Sequence, residues 1–203
     1  MTMSISRRAM LVGLAAACTF PARANASPSA ATRLIAAARR QVGVTLTYDA
    51  AYSKLAFPGG DVPRERGVCT DVLVRAYRDA LGNDLQLLVN QDMHAAFSAY
   101  PRKWGLRAPD RNIDHRRVPN LQTWFSRHRA QLPLPATHAG WQPGDIFVCL
   151  IQGTIPHIGI VSDRRGPSGW LVIHNIGAGA RRENTLFGFE VTGHYRFPGA
   201  SPF

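Results

Sequence analysis

Apolar residues recur at helical spacing through the first half of the chain and in short dense runs through the second. These are the patterns of amphipathic helices and of strands buried on at least one face. An Ala-rich stretch opening on Ser27-Pro28 predicts a helix over 27–41, because serine and proline suit the first positions of a helix. Val72, Leu73, Ala76, Tyr77 and Ala80 share one face of a second predicted helix, 69–81, which Gly82 stops. Two more helices are predicted over 90–99 and 120–128. From Trp141 onward the pattern changes to strands, predicted over 145–151, 157–162, 170–174 and 193–197. Helices first and an antiparallel sheet after them predict an α+β fold. Gly177-Ala178-Gly179-Ala180, between the last two predicted strands, reads as a turn or a lid.

No repeat, linker or change of composition interrupts residues 27–203, so one domain and a monomer are expected there. The first 26 residues stand apart. Ser6-Arg7-Arg8 precedes an apolar run over 9–17, and Ala24-Asn25-Ala26 supplies small residues for cleavage. That layout predicts an export signal, of twin-arginine type, and a periplasmic or secreted protein with no transmembrane segment once the signal is removed. Cys18, after three alanines, offers a competing lipidation site. The formal charge of the whole chain is +11, and all but two of its 24 basic residues are arginines, the lysines being Lys54 and Lys103. Loss of the signal removes three arginines and no acids, so a basic protein remains, suited to anionic surroundings. No nucleic-acid module accompanies that charge.

Cys69 and Cys149 are the cysteines left after the signal, in a compartment that permits disulfides. Cys149 lies in the apolar run Asp145-Ile146-Phe147-Val148-Cys149-Leu150-Ile151 and reads as a small buried hydrophobe. Cys69 instead opens a predicted helix on its inward face. Unpaired N–H groups and the positive end of the helix dipole favour the thiolate there, and the same N–H groups can hold an oxyanion. Asp71, in the first turn, opposes the thiolate unless an arginine neutralises it.

A predicted hairpin supplies the partner chemistry, with His157 opening one strand, 163–169 as the turn, and His174-Asn175 closing the other. Pairing Ser162 with Trp170 sets His157 opposite Asn175; a shift of one residue sets it opposite His174. Periodicity leaves both open as the group that fixes the tautomer of His157. A histidine so oriented beside a helix-terminal cysteine has the makings of a nucleophile and its base.

Several motifs carry a resemblance. Gly59-Gly60-Asp61-Val62-Pro63, Gly67-Val68-Cys69-Thr70-Asp71, Gln142-Pro143-Gly144-Asp145-Ile146, His157-Ile158-Gly159-Ile160-Val161 and Val172-Ile173-His174 occur in the order found in the NlpC-type cell-wall peptidases, and the chain resembles that papain-like superfamily over about 48–175. More closely, Pro109-Asp110-Arg111-Asn112-Ile113-Asp114-His115-Arg116-Arg117-Val118-Pro119-Asn120-Leu121 resembles the central signature of a bacterial family of secreted proteins of long-unassigned function within it. The resemblance implies a papain-like fold, with N-terminal helices packed on a small antiparallel sheet. It implies Cys69 as nucleophile, His157 as base and His174 as the residue that orients His157. The departures are Val68 in place of an aspartate before the cysteine, Thr70 in place of a serine after it, and Phe57 set back from Gly59-Gly60 by Pro58. Such enzymes often use a tyrosine at the oxyanion site, for which Tyr48 and Tyr52 are both candidates.

The implied activity is a cysteine peptidase or amidase cleaving an amide of peptidoglycan, with no cofactor and no metal. Stem peptides carry carboxylates, which arginine forks can grip. The candidate substrate-binding residues are Arg64, Arg66, Asp71, Arg111, Asp114, His115 and Arg116. The alternatives are a papain-like lipid acyl hydrolase and a non-enzymatic binder of anionic wall polymer. A zinc hydrolase lacks the expected spacings, since the chain has neither H-E-x-x-H nor a paired C-x-x-C.

Overall fold

The hydroxyl of Ser29 accepts the Thr32 N–H at 3.1 Å and so caps the first helix, α1 (Ala30–Arg39), which starts later and ends earlier than the sequence pattern predicts. The computed structural model describes residues 27–197; the predicted export signal lies outside the described residues. A short parallel pair follows, β1 (Thr47–Tyr48) and β2 (Arg66–Gly67). Next comes α2 (Cys69–Leu81), with the predicted bounds and with Gly82 at φ +69° terminating it. α3 (Leu85–Ala96) begins five residues before the predicted start, because Asp84 caps it through the Gln86 N–H at 3.2 Å. α4 (Val118–Arg127) completes the helical half.

Five strands then form one sheet: β3 (Ile146–Ile151), β4 (Ile155–Gly166), β5 (Gly169–Asn175), β6 (Ala180–Glu183) and β7 (Glu190–Tyr195). Their order is β6-β5-β4-β3-β7, with every neighbouring pair antiparallel. Helices followed by an antiparallel sheet match the α+β expectation. β6 was not among the predicted strands; it uses Ala180, the last residue of the expected turn or lid, and pairs along the edge of β5.

Both faces of the sheet are covered. Leu34, Leu73, Tyr77, Leu121 and Phe125 of the helices pack on Ile146, Val148, Ile158, Ile160 and Ile173. On the opposite face Phe147, Val161 and Val172 pack under Trp141 and Leu186. Burial on both sides is why β3 reads as a continuous apolar run rather than an alternation. Cys149 belongs to the second cluster and is a free thiol, as is Cys69.

The hairpin register differs from both sequence alternatives. Ile160 pairs with Ile173 and Val161 with Val172, so neither His174 nor Asn175 lies directly opposite His157. The pairing then shifts by two residues before Arg165 meets Trp170, and β4 runs on to Gly166 where a turn over 163–169 was expected. A bulge of this kind leaves no trace in the apolar pattern, because the residues it displaces are polar: buried Ser162 and exposed Asp163 and Arg164.

Among the described residues no helix is long and apolar enough to cross a membrane.

Candidate active site

Cys69 owes its position to contacts around the start of α2. Two residues upstream, Gly67 pairs with Tyr48, and the Asn175 side chain donates to the Gly67 carbonyl at 2.9 Å. A Cβ on Gly67 would meet Asp71 Oδ2 at 2.9 Å. Glycine therefore leaves Asp71 free to reach back and accept the Val68 N–H at 2.7 Å, one half of a capping box. Arg75, wholly buried in the middle of α2, ties down the approaching chain. Its guanidinium donates to Asp61 at 2.8 Å, to Thr45 Oγ1 at 3.1 Å, and to the carbonyls of Val62 and Arg66 at 3.1 and 2.9 Å.

The thiol of Cys69 is buried, and burial pushes it up to about 11. Against that, the N–H groups of Ile158 and Thr70 and the Tyr48 hydroxyl donate to sulfur and favour the thiolate, while the charge of Asp71 disfavours it. Desolvation outweighs the donors that favour the thiolate at this helix terminus. Asp71 is the acid the sequence warned of, and Arg116 grips it through two parallel bonds, Nε to Oδ1 and Nη2 to Oδ2, each 2.9 Å. Tyr48 is the tyrosine beside the thiol, and its own acidity is suppressed, first by burial and then by Cys69. Tyr52 points elsewhere, donating to Asp110 at 3.1 Å and accepting from Asn112 at 2.9 Å.

The Ile158 contact puts His157 next to the residue that touches sulfur. His157 Nε2 lies 2.8 Å from His174 Nδ1, and His174 Nε2 lies 2.9 Å from Glu183 Oε2. The carboxylate only accepts, so His174 carries its proton on Nε2 and offers a lone pair at Nδ1. His157 must then donate from Nε2, which leaves its Nδ1 as the free base. Burial, and secondarily His174, pushes His157 down to about 3; burial also lowers His174, against the opposing pull of Glu183. Both rings are therefore neutral at rest, as this tautomer order requires.

Glycine makes the histidine pair possible. By the register of its neighbours Gly159 faces His174, and a Cβ there would sit 2.9 Å from His174 Cβ and 2.6 Å from the Phe147 ring. Without that atom, His174 reaches diagonally across β4 to His157.

Cys69 opens into a cleft of about 340 Å³ whose walls include Tyr48, Val68, Lys103, Trp104, Ile113, Arg116, Arg117, Val118, Pro119 and Pro156. A second cavity of about 560 Å³ adjoins it, sharing Lys103, Pro119 and Pro156 and running on past Gln122 and Thr192. Among the described residues no group of three or more His, Cys, Asp or Glu is gathered so as to hold a metal ion.

Of the predicted substrate-binding residues, the structure brings Arg116 to the cleft, with its fork already on Asp71 and its remaining donors on the carbonyls of Ala51 and Asp49 at 3.2 and 3.0 Å. The rest of the set does not line it. Arg64 is paired bidentately with Asp79 at 2.7 and 2.8 Å, and Arg66 with Asp49 at 3.0 Å. Arg111 lies over the Phe57 ring, 5.6 Å from its centroid. Asp114 is buried, accepting the Asp110 N–H at 2.6 Å, and His115 is buried and pushed down to about 4, chiefly by desolvation. The dense charges of 109–117 thus brace the wall of the cleft from within. Sequence reasoning missed Glu183, Lys103 and Trp104, whereas Arg117 stands in the central signature that the sequence already singles out. Glu183 stands on the strand that the apolar pattern did not reveal, and Lys103 and Trp104 bear no motif.

A family model described as Domain of unknown function (DUF1287) matches residues 35–197. The protein of Escherichia coli (strain K12) called Uncharacterized protein YijF is 54% identical over 161 residues, which cover 79% of this chain and 78% of that relative.

Proposed function

This chain belongs to the family described as Domain of unknown function (DUF1287), and from that premise we propose that it is a papain-like, NlpC-type cysteine hydrolase that is exported and cleaves an amide bond in the stem peptides of peptidoglycan. The observation that carries this reading is the ordered series Glu183, His174 and His157, which ends one residue from the backbone N–H bonded to Cys69.

In the proposed reaction Cys69 attacks the amide carbonyl as its S–H proton passes to His157 Nδ1. Proton transfer concerted with attack suits a thiol held at about 11 and an imidazole that starts neutral. The oxyanion takes hydrogen bonds from the Tyr48 hydroxyl and from the Cys69 N–H, which has no partner within the helix because Cys69 is its first residue. His157 Nδ1 then gives the proton to the leaving amine, the C–N bond breaks and a thioester remains on Cys69. Water, deprotonated by the same nitrogen, attacks the thioester; the C–S bond breaks and the thiol is restored. His174 keeps His157 oriented throughout, and Glu183 offsets the positive charge that the two imidazoles share.

The adjoining cavities favour an extended substrate such as a cross-linked stem peptide. The test is mass spectrometry of muropeptides and model lipids incubated with the processed protein, its Cys69→Ala variant, and the protein with a chelator. Defined muropeptide fragments that require Cys69 and survive chelation are expected. Cleavage of lipids alone, or cleavage without Cys69, contradicts the reading.

A further inference from the structure

Arg117 differs from the other arginines around the cleft in being held rigidly while keeping donors free. Its Nη1 donates to the buried Asp114 at 3.0 Å, and its guanidinium lies over the Trp104 ring, 4.1 Å from the centroid. Among the described residues Nε and Nη2 donate no hydrogen bond. Its neighbour is fixed to the reacting centre, since the Thr70 hydroxyl donates to the Arg116 carbonyl at 3.0 Å. Arg117 thus stands one residue from a direct bond to the residue after Cys69. Lys103 is exposed on the same wall and has no ion pair or hydrogen bond among the described residues.

Among the described residues no acid lines this cleft or the cavity beside it. The carboxylate of Asp71, the nearest to Cys69 in sequence, is spent on Arg116. The cleft therefore presents a fixed planar donor, whose buried partner Asp114 holds it from behind, and the exposed, unpaired ammonium of Lys103.

We propose that Arg117 and Lys103, with Trp104 behind them, form an anion subsite that binds a free carboxylate of the substrate beside the scissile amide, so that acidic stem peptides are accepted and amidated ones rejected. This deepens the proposed function and rests on Cys69 as the reacting thiol. A carboxylate in the cleft gains charge-assisted bonds from donors already in place. A carboxamide brings its own donors to the same spot and forfeits the charge.

The charge of the cleft is testable without knowing the substrate. The full processed chain is alkylated with iodoacetate and, separately, with iodoacetamide, and each rate is read at the Cys69 peptide. The two reagents deliver similar small groups and differ in charge. Relative to free cysteine, the wild-type chain is expected to favour the anionic reagent about tenfold. Arg117→Gln and Lys103→Gln should each return the ratio toward that of free cysteine, while Arg117→Lys retains part of the preference. Lys103→Gln alters an exposed residue without partners, so it carries the test should Arg117→Gln fail to fold. A wild-type ratio equal to that of free cysteine, or one unmoved by these variants, overturns the subsite and leaves Cys69 as nucleophile.

Failure of Cys69 to react with either reagent counts against the thiol reading instead. A binding arm then decides the subsite separately, using Cys69→Ala protein with L-Ala-γ-D-Glu-diaminopimelate and with the same peptide amidated. About tenfold weaker binding of the amidated peptide, abolished by Lys103→Gln or Arg117→Gln, is expected. Equal binding of the two peptides, or binding of neither, overturns the subsite.

Discussion

Glu183 accepts and never donates, and that property passes through two imidazoles to decide which nitrogen of His157 carries the proton. Its contribution is testable in the pH profile as well as in the size of turnover. In Glu183→Gln an uncharged amide replaces the carboxylate, so the charge that favours imidazolium at His174 and His157 is lost. Turnover is expected to fall about tenfold, the size of one charge-assisted bond, with the acid limb of kcat/KM moving to lower pH. The Cys69 residue itself should alkylate at a rate that keeps climbing above pH 9, because its thiol lies at about 11. A plateau at neutral pH would indicate a preformed thiolate–imidazolium pair and contradict the neutral resting state. The proposed nucleophile stands out in the sequence through its helix-start position and its motif. Glu183 was not, because a carboxylate that acts through another side chain leaves no spacing to recognise.

Among the elements, the β4–β5 hairpin shows what an apolar pattern conveys and what it conceals. Ile158, Ile160, Val172 and Ile173 announced two strands, and both strands exist. The bulge that sets their register lies among the polar residues Ser162, Asp163 and Arg164, so the pairing deduced from symmetry about the turn was wrong. β6 was missed for a similar reason, since Ala180-Arg181-Arg182-Glu183 is an edge strand with two exposed positions and no alternation. Gly159 is the hinge of the arrangement. Gly159→Ala places a methyl group 2.9 Å from His174 Cβ and against Phe147, where the sheet has little room to yield. The variant is expected to lose about 1–3 kcal/mol of stability on chemical denaturation and, in the fraction that remains folded, to lose most of its Cys69-dependent activity. Full activity in a folded Gly159→Ala protein would show that the close approach of the two histidines is dispensable.

For the molecule as a whole, burying neutral histidines has a cost that acid exposes. His115 is held at about 4 and His157 at about 3, both mainly by burial, and His174 is lowered as well. In the unfolded chain each takes a proton near 6.5, so as pH falls below that value the unfolded state binds protons first and stability declines. The decline ends only below the folded values. A single such histidine removes about 1.4 kcal/mol per pH unit within that window. Thermal melts should be level above pH 6.5 and drop steeply between 6.5 and 5, less so in His115→Gln, which takes away one of the three groups and whose Nδ1 has no partner to lose. A melting temperature unchanged from pH 7 to 5 would contradict the burial of these rings. The α+β order was evident from the sequence because helices and strands are segregated along it. The cleft was not, because its cationic wall joins Lys103, Trp104 and Arg117 to Cys69 only through the fold.

The central claim is that the Cys69 thiol becomes acylated by a stem peptide. The most direct measurement is intact-protein mass spectrometry after brief mixing with muropeptides and quenching in acid, followed by mapping of the modified peptide. A transient adduct of acyl-fragment mass on the peptide containing Cys69, absent from Cys69→Ala and lengthened in lifetime by His157→Ala once formed from an activated ester, is predicted. Muropeptide cleavage with no adduct at any quench time, or an adduct on another residue, would contradict the account.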